Sequence, residues 1–196
     1  MRLRLYNRAS PIHTLGPFNR YGIWVQGCSR RCDGCITPEG QPLDGGYEME
    51  VEELCREILR EPGLEGITIS GGEPYLQAEA LAELIEMLRL SADLGVIVYT
   101  GNLYEQIREE RLTGLCDAII DGPYMKDRDD NKSLRGSDNQ RLILLTDRYK
   151  GLIPFGTINR QTEKFVSSEG FTALVGVPPK CTEEERQWQM EVSLIE

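Results

Sequence analysis

Short apolar segments alternate with amphipathic helical segments along most of this chain, and this alternation constrains the fold more than any other feature. The apolar segments are four predicted strands, at residues 22–26, 66–69, 95–99 and 118–121. Between them the apolar residues recur at helical spacing, which predicts helices at 50–60 and 76–90 and a weaker one at 103–111. Strands that are apolar throughout and separated by helices are typical of a parallel sheet covered by helices.

Successive strand–helix–strand units are almost always right-handed, so this sheet is expected to wind into a partial, open β/α barrel of the α/β class. Ligands of such sheets bind beyond the carboxyl ends of the strands. Cys28, Gly71, Thr100 and Asp121 stand at or just after the ends of the four predicted strands. The sequence therefore predicts that these four residues share one edge of the sheet.

The last third of the chain has a different pattern. We expect a fifth strand at 141–145, a β-hairpin over 161–177 and a charged helix over 182–194. No linker-like stretch separates this part from the rest, so residues 1–196 are expected to form a single domain. Its core would span about 12–145, and the C-terminal hairpin and helix would form an extension over about 146–196.

The charge and the cysteine content narrow the possible functions. The 22 basic and 32 acidic side chains give a net charge of −10, which argues against nonspecific nucleic-acid binding. No run of apolar residues is long enough for a membrane span, and the N-terminus lacks the apolar core of a signal peptide. We therefore expect a cytoplasmic protein, in which six cysteines favour metal or catalytic use over disulfides.

Three cysteines follow the first predicted strand with C-x3-C-x2-C spacing: Cys28, Cys32 and Cys35. Iron–sulfur clusters are normally closed by four cysteines, so three thiolates on one loop can hold a [4Fe-4S] cluster and leave its fourth iron open to a ligand. Structural zinc is the alternative, but it usually needs two close pairs of ligands, and the second pair is missing. A fourth zinc ligand would have to be one of His13, Cys55, Cys116 and Cys181.

A second motif, Gly71-Gly72-Glu73-Pro74, ends the second predicted strand. Two glycines let the backbone approach a ligand closely, and Glu73 offers a carboxylate to an ammonium group. With these two motifs in this order the chain resembles radical S-adenosylmethionine (SAM) enzymes, in which the Gly-Gly-Glu-Pro segment binds the amino group of SAM. The resemblance implies a [4Fe-4S] cluster and SAM as cofactors, with Gly71, Gly72, Glu73 and Pro74 at the methionine end.

Four further segments resemble the activating component of anaerobic (class III) ribonucleotide reductase and related glycyl-radical activases. They are the stretches at 16–22, 99–101, 121–124 and 134–141, the last of which contains Arg-Gly-Ser-Asp-Asn-Gln. The resemblance implies that Thr100 and Asp121 line the floor of the SAM site, where related activases can hold a monovalent cation. It also implies that the signature residues shape the SAM or partner side, namely Arg135, Ser137 and Asn139.

The same resemblance implies a radical reaction on a partner. The reduced cluster would give one electron to SAM, and the resulting 5′-deoxyadenosyl radical would take a hydrogen atom from a backbone glycine of a protein or peptide. A flavodoxin or ferredoxin would supply the electron. Ile36 departs from the family pattern, because an aromatic residue usually follows the third cysteine, although its backbone can still meet the adenine.

Two other functions stay open at this stage. The chain could be a radical SAM enzyme that modifies a peptide or small molecule directly, or a non-catalytic metal module that binds a cluster without cleaving SAM. Arg30 and Arg31 either offset thiolate charge, face a partner or are simply solvated, and the charged run 126–132 is either a solvated loop or a docking loop.

Overall fold

The computed structural model describes residues 1–166 and 172–178. Within these residues the strands are Arg2–Ile12 (β1), Arg20–Val25 (β2), Tyr47–Glu50 (β3), Gly66–Gly71 (β4), Gly95–Tyr99 (β5), Ala118–Asp121 (β6), Arg141–Leu144 (β7), Thr162–Val166 (β8) and Thr172–Gly176 (β9). The α-helices are Val51–Arg60 (α1), Ala78–Arg89 (α2), Tyr104–Ile107 (α3) and Arg111–Gly114 (α4). Each of these helices is too short or too polar to cross a membrane.

Seven strands form one sheet in the order β3-β1-β2-β4-β5-β6-β7. The four strands β2, β4, β5 and β6 run parallel to one another, and they are the four that the sequence predicts for the parallel sheet. The fifth predicted strand, at 141–145, is β7. β1 and β3 extend the sheet antiparallel on one side, and β7 does so on the other. The structure thus confirms the α/β class and the parallel centre of the sheet, within a mixed sheet.

β1 is a finding that the sequence analysis did not predict. It has 11 residues, and along its first half buried and exposed side chains alternate, with Leu3 and Leu5 fully buried. Arg2 and Arg4 point to the other face and pair with the acidic side chains of β3. Such alternation is typical of an antiparallel strand with one solvated face, whereas the search for buried parallel strands looks for continuous apolar runs.

The long helices cover one face of the sheet. Leu54 and Ile58 of α1 and Leu84 of α2 are buried in one cluster with the inward residues of β2, β4 and β5. The buried positions of α1 are those that its helical periodicity predicts, except that Leu59 is 39% exposed. Cys55 and Cys116 are buried in the same cluster and are therefore core residues.

The other face is covered by the segment after β7 and by the β8–β9 hairpin. Tyr149 and Phe155 pack against Ile97 of β5 and Ile120 of β6. β8 and β9 pair antiparallel, as predicted for 161–177. The predicted helix at 103–111 is two four-residue helices, α3 and α4, instead of one. The predicted helix at 182–194 and Cys181 lie outside the described residues.

A fully buried arginine, Arg20, lies at the start of β2. Its Nε donates to the Thr68 hydroxyl at 2.6 Å, and its Nη1 donates to the Tyr149 hydroxyl at 2.7 Å. The remaining guanidinium hydrogens reach backbone carbonyl oxygens, which belong to Pro17, Ile67 and Gly95. One side chain thereby connects β2, β4, the start of β5 and the segment after β7.

Candidate active site

The loop with the three cysteines leaves the end of β2 and is held there by its own return segment. The backbone N–H of Gly27 donates to Gly40 at 2.8 Å, and that of Cys28 donates to Gln41 at 2.9 Å. The side chain of Gln26 donates to two further carbonyl oxygens of the return segment, at 3.0 and 2.7 Å. The cysteines are therefore presented by an anchored loop at the carboxyl edge of the parallel strands.

Cys28, Cys32 and Cys35 are free and half-buried on this loop. Burial raises the pKa of the Cys32 thiol, and the neighbouring Cys35 and Cys28 raise it further. Binding of a metal cation would instead favour the thiolate form, because the thiolate is the form that binds metal.

The described residues contain no group of three or more His, Cys, Asp or Glu side chains placed to hold a single metal ion. A [4Fe-4S] cluster requires a different arrangement, because each cysteine binds a different iron atom. Three free thiols on one anchored, half-buried loop fit that requirement.

Gly71 and Gly72 bring the end of β4 against the start of the cysteine loop. A Cβ on Gly71 would lie 2.5 Å from the backbone N of Val25, and one on Gly72 would lie 2.1 Å from the carbonyl oxygen of Gly27. The N–H groups of Gly72 and Glu73 donate to Val25 and Gly27 at 2.7 and 2.8 Å. The sequence suggested that the glycines admit a ligand; the structure adds that they admit the neighbouring backbone.

Glu73 is 4% exposed and its carboxylate is almost enclosed by donors. Oε1 accepts from the Thr100 hydroxyl at 2.7 Å and from the Tyr75 N–H at 3.2 Å. Oε2 accepts from the Gly101 N–H at 3.0 Å and from Arg30 Nε at 3.4 Å. Pro74 opens the short 3-10 turn whose N-cap is Glu73. The carboxylate is thus held in a fixed orientation, as a partner for an ammonium group requires.

Arg30 is a site residue whose role the sequence did not determine. Its side chain reaches from the cysteine loop to Glu73, and its Nη2 donates to the Asn102 side chain just after β5. Gly101 makes room for it, since a Cβ there would lie 2.4 Å from Arg30 Cδ. The sequence leaves open whether Arg30 offsets thiolate charge, faces a partner or is solvated. The structure places its guanidinium beside the buried carboxylate of Glu73.

Asp121 is fully buried at the end of β6, and its charge is matched by another arginine. Arg141 pairs with both carboxylate oxygens of Asp121 and also with Glu105, whose pKa it lowers. The N–H of Tyr104 donates to Asp121 at 2.7 Å. Thr100 donates instead to Glu73, so these two predicted floor residues have separate partners. The guanidinium of Arg141 lies beside Asp121, where the family resemblance implies a monovalent cation.

The signature segment shapes the turn that follows β6. The buried Ser137 hydroxyl accepts from the Met125 N–H at 3.0 Å, and the Asn139 amide donates to Pro123 at 2.7 Å. Asn139 Oδ1 is buried and has no hydrogen-bond partner among the described residues. Arg135 pairs with Asp130 and therefore contributes to the fold of the loop itself.

This turn also touches the cysteine loop. Lys126 pairs with Asp33 at 3.3 Å, and the side chains of Tyr124 and Lys126 lie beside Gly34. Within the charged run 126–132, Lys126 therefore contacts the cysteine loop. Ile36, next to the third cysteine, is 50% exposed. The ends of β2, β4, β5 and β6 thus lie at one edge of the sheet, as the sequence predicts.

Comparison with known proteins gives a family and several named relatives. A family described as a 4Fe-4S single cluster domain matches residues 14–143. The anaerobic ribonucleoside-triphosphate reductase-activating protein of Enterobacteria phage T4 is 31% identical over 148 residues, which cover 72% of this chain and 95% of the relative. The protein of the same name from Vibrio cholerae is 27% identical over 146 residues, covering 69% and 94%.

Two relatives with other names match over shorter stretches. The 7-carboxy-7-deazaguanine synthase of Hyperthermus butylicus is 40% identical over 115 residues, or 56% of this chain and 48% of the relative. The pyruvate formate-lyase-activating enzyme of Clostridium pasteurianum is 38% identical over 86 residues, or 41% and 35%. The family match covers the cysteine loop, Glu73 and the signature segment together. The chain therefore belongs to the 4Fe-4S single cluster domain family and, within it, to the radical SAM activases.

Proposed function

We propose that this protein cleaves SAM reductively at a [4Fe-4S] cluster and generates a glycyl radical on a partner enzyme of the anaerobic ribonucleotide reductase type. The observation that carries the proposal is the direct backbone contact between the cysteine loop and the Gly71–Glu73 turn. The near-complete coverage of the T4 relative, at 95% of its length, supports the choice of partner. The finer architecture that goes with this function is an open β/α barrel of the radical SAM type.

In this proposal each element of the site has one task. Cys28, Cys32 and Cys35 bind three irons, and Glu73 accepts from the amino group of SAM. The cofactors supply one electron and the radical chemistry, and the protein supplies binding, orientation and exclusion of water. Thr100 keeps the Glu73 carboxylate fixed through its 2.7 Å hydrogen bond, and Asn139 Oδ1 is a buried acceptor that a bound group can satisfy.

The first experiment separates the cysteine loop from the other thiols. The protein is reconstituted anaerobically with iron and sulfide, reduced and given SAM, and 5′-deoxyadenosine is measured. We expect product from the wild type and from Cys55→Ala, which removes a buried thiol of α1, and only background from Cys32→Ala. An intact, reducible cluster that forms no product from SAM, alone or with a reductase partner, would refute the cleavage reaction.

The second experiment tests the partner. The loaded protein is mixed with an anaerobic ribonucleotide reductase, and the electron paramagnetic resonance spectrum is followed for the doublet of a glycyl radical. We expect the doublet only when SAM and reductant are both present. A reductase that stays radical-free while 5′-deoxyadenosine accumulates would remove this partner and keep the cleavage reaction.

A second candidate function is direct modification of a small molecule. It is favoured by the 40% identity to the 7-carboxy-7-deazaguanine synthase, although that match spans only 48% of the relative. Hydrogen transfer from a deuterated small substrate into 5′-deoxyadenosine, with no glycyl doublet on any reductase, would favour this candidate over the activase.

A further inference from the structure

Arg30 and Glu73 form an ion pair of unusual placement. The guanidinium comes from between two of the predicted iron ligands, and the carboxylate comes from the turn after β4; their closest N···O distance is 3.4 Å. The Glu73 side chain is 5% exposed and the Arg30 side chain 29%, so the carboxylate is buried and the guanidinium is partly exposed. Both charges therefore lie beside the cysteine loop.

The pair is held by neutral groups on either side. Glu73 is fixed by Thr100 and by the Gly101 N–H, and Arg30 is fixed by the Asn102 side chain. Asn102 is itself oriented, because its side-chain nitrogen donates to Thr100 at 3.1 Å. The two charges thus keep a fixed separation with only one long hydrogen bond between them, which leaves hydrogen-bonding capacity at the guanidinium.

A carboxylate and a guanidinium at this separation are complementary to an α-amino acid, which carries an ammonium and a carboxylate on one carbon. Resting on the proposed function, we infer that Arg30 binds the carboxylate of SAM while Glu73 accepts from its amino group. Arg30 is then a positioning residue for the amino-acid end of the cofactor. A guanidinium suits this role because its donors can engage both oxygens of a carboxylate.

The alternative role for Arg30 is that of a plug, which would occupy the place of the ammonium and have to leave. The two roles make opposite predictions for a variant that removes the charge. A plug that is removed strengthens SAM binding, whereas a lost carboxylate partner weakens it. The contact with Asn102 favours the partner role, because it holds Arg30 beside the site.

The test measures dissociation constants of the reconstituted protein by anaerobic equilibrium dialysis, with SAM and with decarboxylated SAM, which lacks the carboxylate. We expect Arg30→Met to weaken SAM binding by about 10- to 100-fold, the range for one lost charge-assisted contact. Binding of decarboxylated SAM should change less than about twofold, because the charge that Arg30 would contact is absent. The neighbouring, exposed Arg31→Met is the matched control and should bind both ligands like the wild type.

Iron and sulfide contents are measured for every variant, so that cluster loss is not mistaken for lost binding. Should Arg30→Met fail to hold a full cluster, Asn102→Ala frees the guanidinium without touching the cysteine loop and should selectively weaken SAM binding. Equal losses for SAM and decarboxylated SAM, or tighter SAM binding, would overturn the inference. Failure of the wild type itself to bind and cleave SAM would instead overturn the proposed function.

Discussion

Replacement of Arg20 by methionine tests how this fold is held together below the site. Arg20 is fully buried, and its guanidinium is hydrogen-bonded to two hydroxyls and three backbone carbonyls. Its side chain also lies over the Tyr149 ring, 5.1 Å from the centroid. Methionine keeps much of the apolar stem and removes the charge and all of its donors.

The loss of stability follows from the buried acceptors that Arg20 leaves without a donor. Each buried acceptor that loses its donor costs about 1–3 kcal/mol, and the removal of the buried charge recovers several kcal/mol of desolvation. The free-energy loss at Thr68 is smaller, because its hydroxyl still donates to the Leu15 carbonyl at 3.0 Å. We expect Arg20→Met to lower the free energy of unfolding by about 3–5 kcal/mol, and Tm by about 6–20 °C for a chain of this size.

The assay is urea unfolding of the anaerobic, cluster-free protein, followed by circular dichroism. Tyr149→Phe removes only one acceptor of Arg20 and should cost about 1.5–3 kcal/mol in the wild type but much less once Arg20 is methionine. Arg111→Met is the control, because Arg111 pairs with two acidic residues at the exposed surface and should leave the unfolding midpoint nearly unchanged. A midpoint for Arg20→Met near that of the control, or additive losses in the double variant, would refute the reasoning.

Three further results are expected. Thr100→Val removes a hydrogen bond to the Glu73 carboxylate and should weaken SAM binding about tenfold in equilibrium dialysis, whereas Thr113→Val, also buried, should not. Gly72→Ala places a methyl group against the Gly27 carbonyl, so bound iron per chain should fall in parallel with the unfolding midpoint; retention of both would contradict the packing. His13 Nδ1 donates to the Glu163 carboxylate at 2.9 Å, which raises the pKa of His13 above its usual 6.5. The stabilisation from this pair is complete below pH 6.5 and fades as pH rises through the raised pKa, so Glu163→Gln should flatten the decline of the urea midpoint above pH 6.5, and an unchanged slope would contradict this expectation.

The central part of the fold could be predicted from the sequence because each parallel strand is a continuous apolar run. β4, β5 and β6 are buried on both faces, by helices on one side and by the segment after β7 on the other. β1 escaped prediction because its buried residues alternate with polar ones, and β3 has only four residues, of which Met49 alone is buried. Such strands form because a neighbour pairs with them, which local sequence does not reveal.

Some features of the candidate site could likewise be predicted from the sequence, and others could not. The cysteine spacing and the Gly-Gly-Glu turn are local patterns, and the structure brings them together at one edge. Arg30 could not be assigned from sequence, because its partner Asn102 lies 72 residues away. The same holds for the pairing of Asp121 with Arg141, 20 residues apart, which supplies a positive charge where the family resemblance implies a monovalent cation.

The contact between Gly72 and the Gly27 carbonyl has a consequence for genetics. Because the turn that carries Glu73 rests directly on the first peptide of the cysteine loop, any side chain added there displaces both at once. A screen for loss of function would then group substitutions at Gly72 with those at the cysteines, although Gly72 binds no iron. Natural selection should act on the two motifs together, so that a tolerated change in one is accompanied by a compensating change in the other.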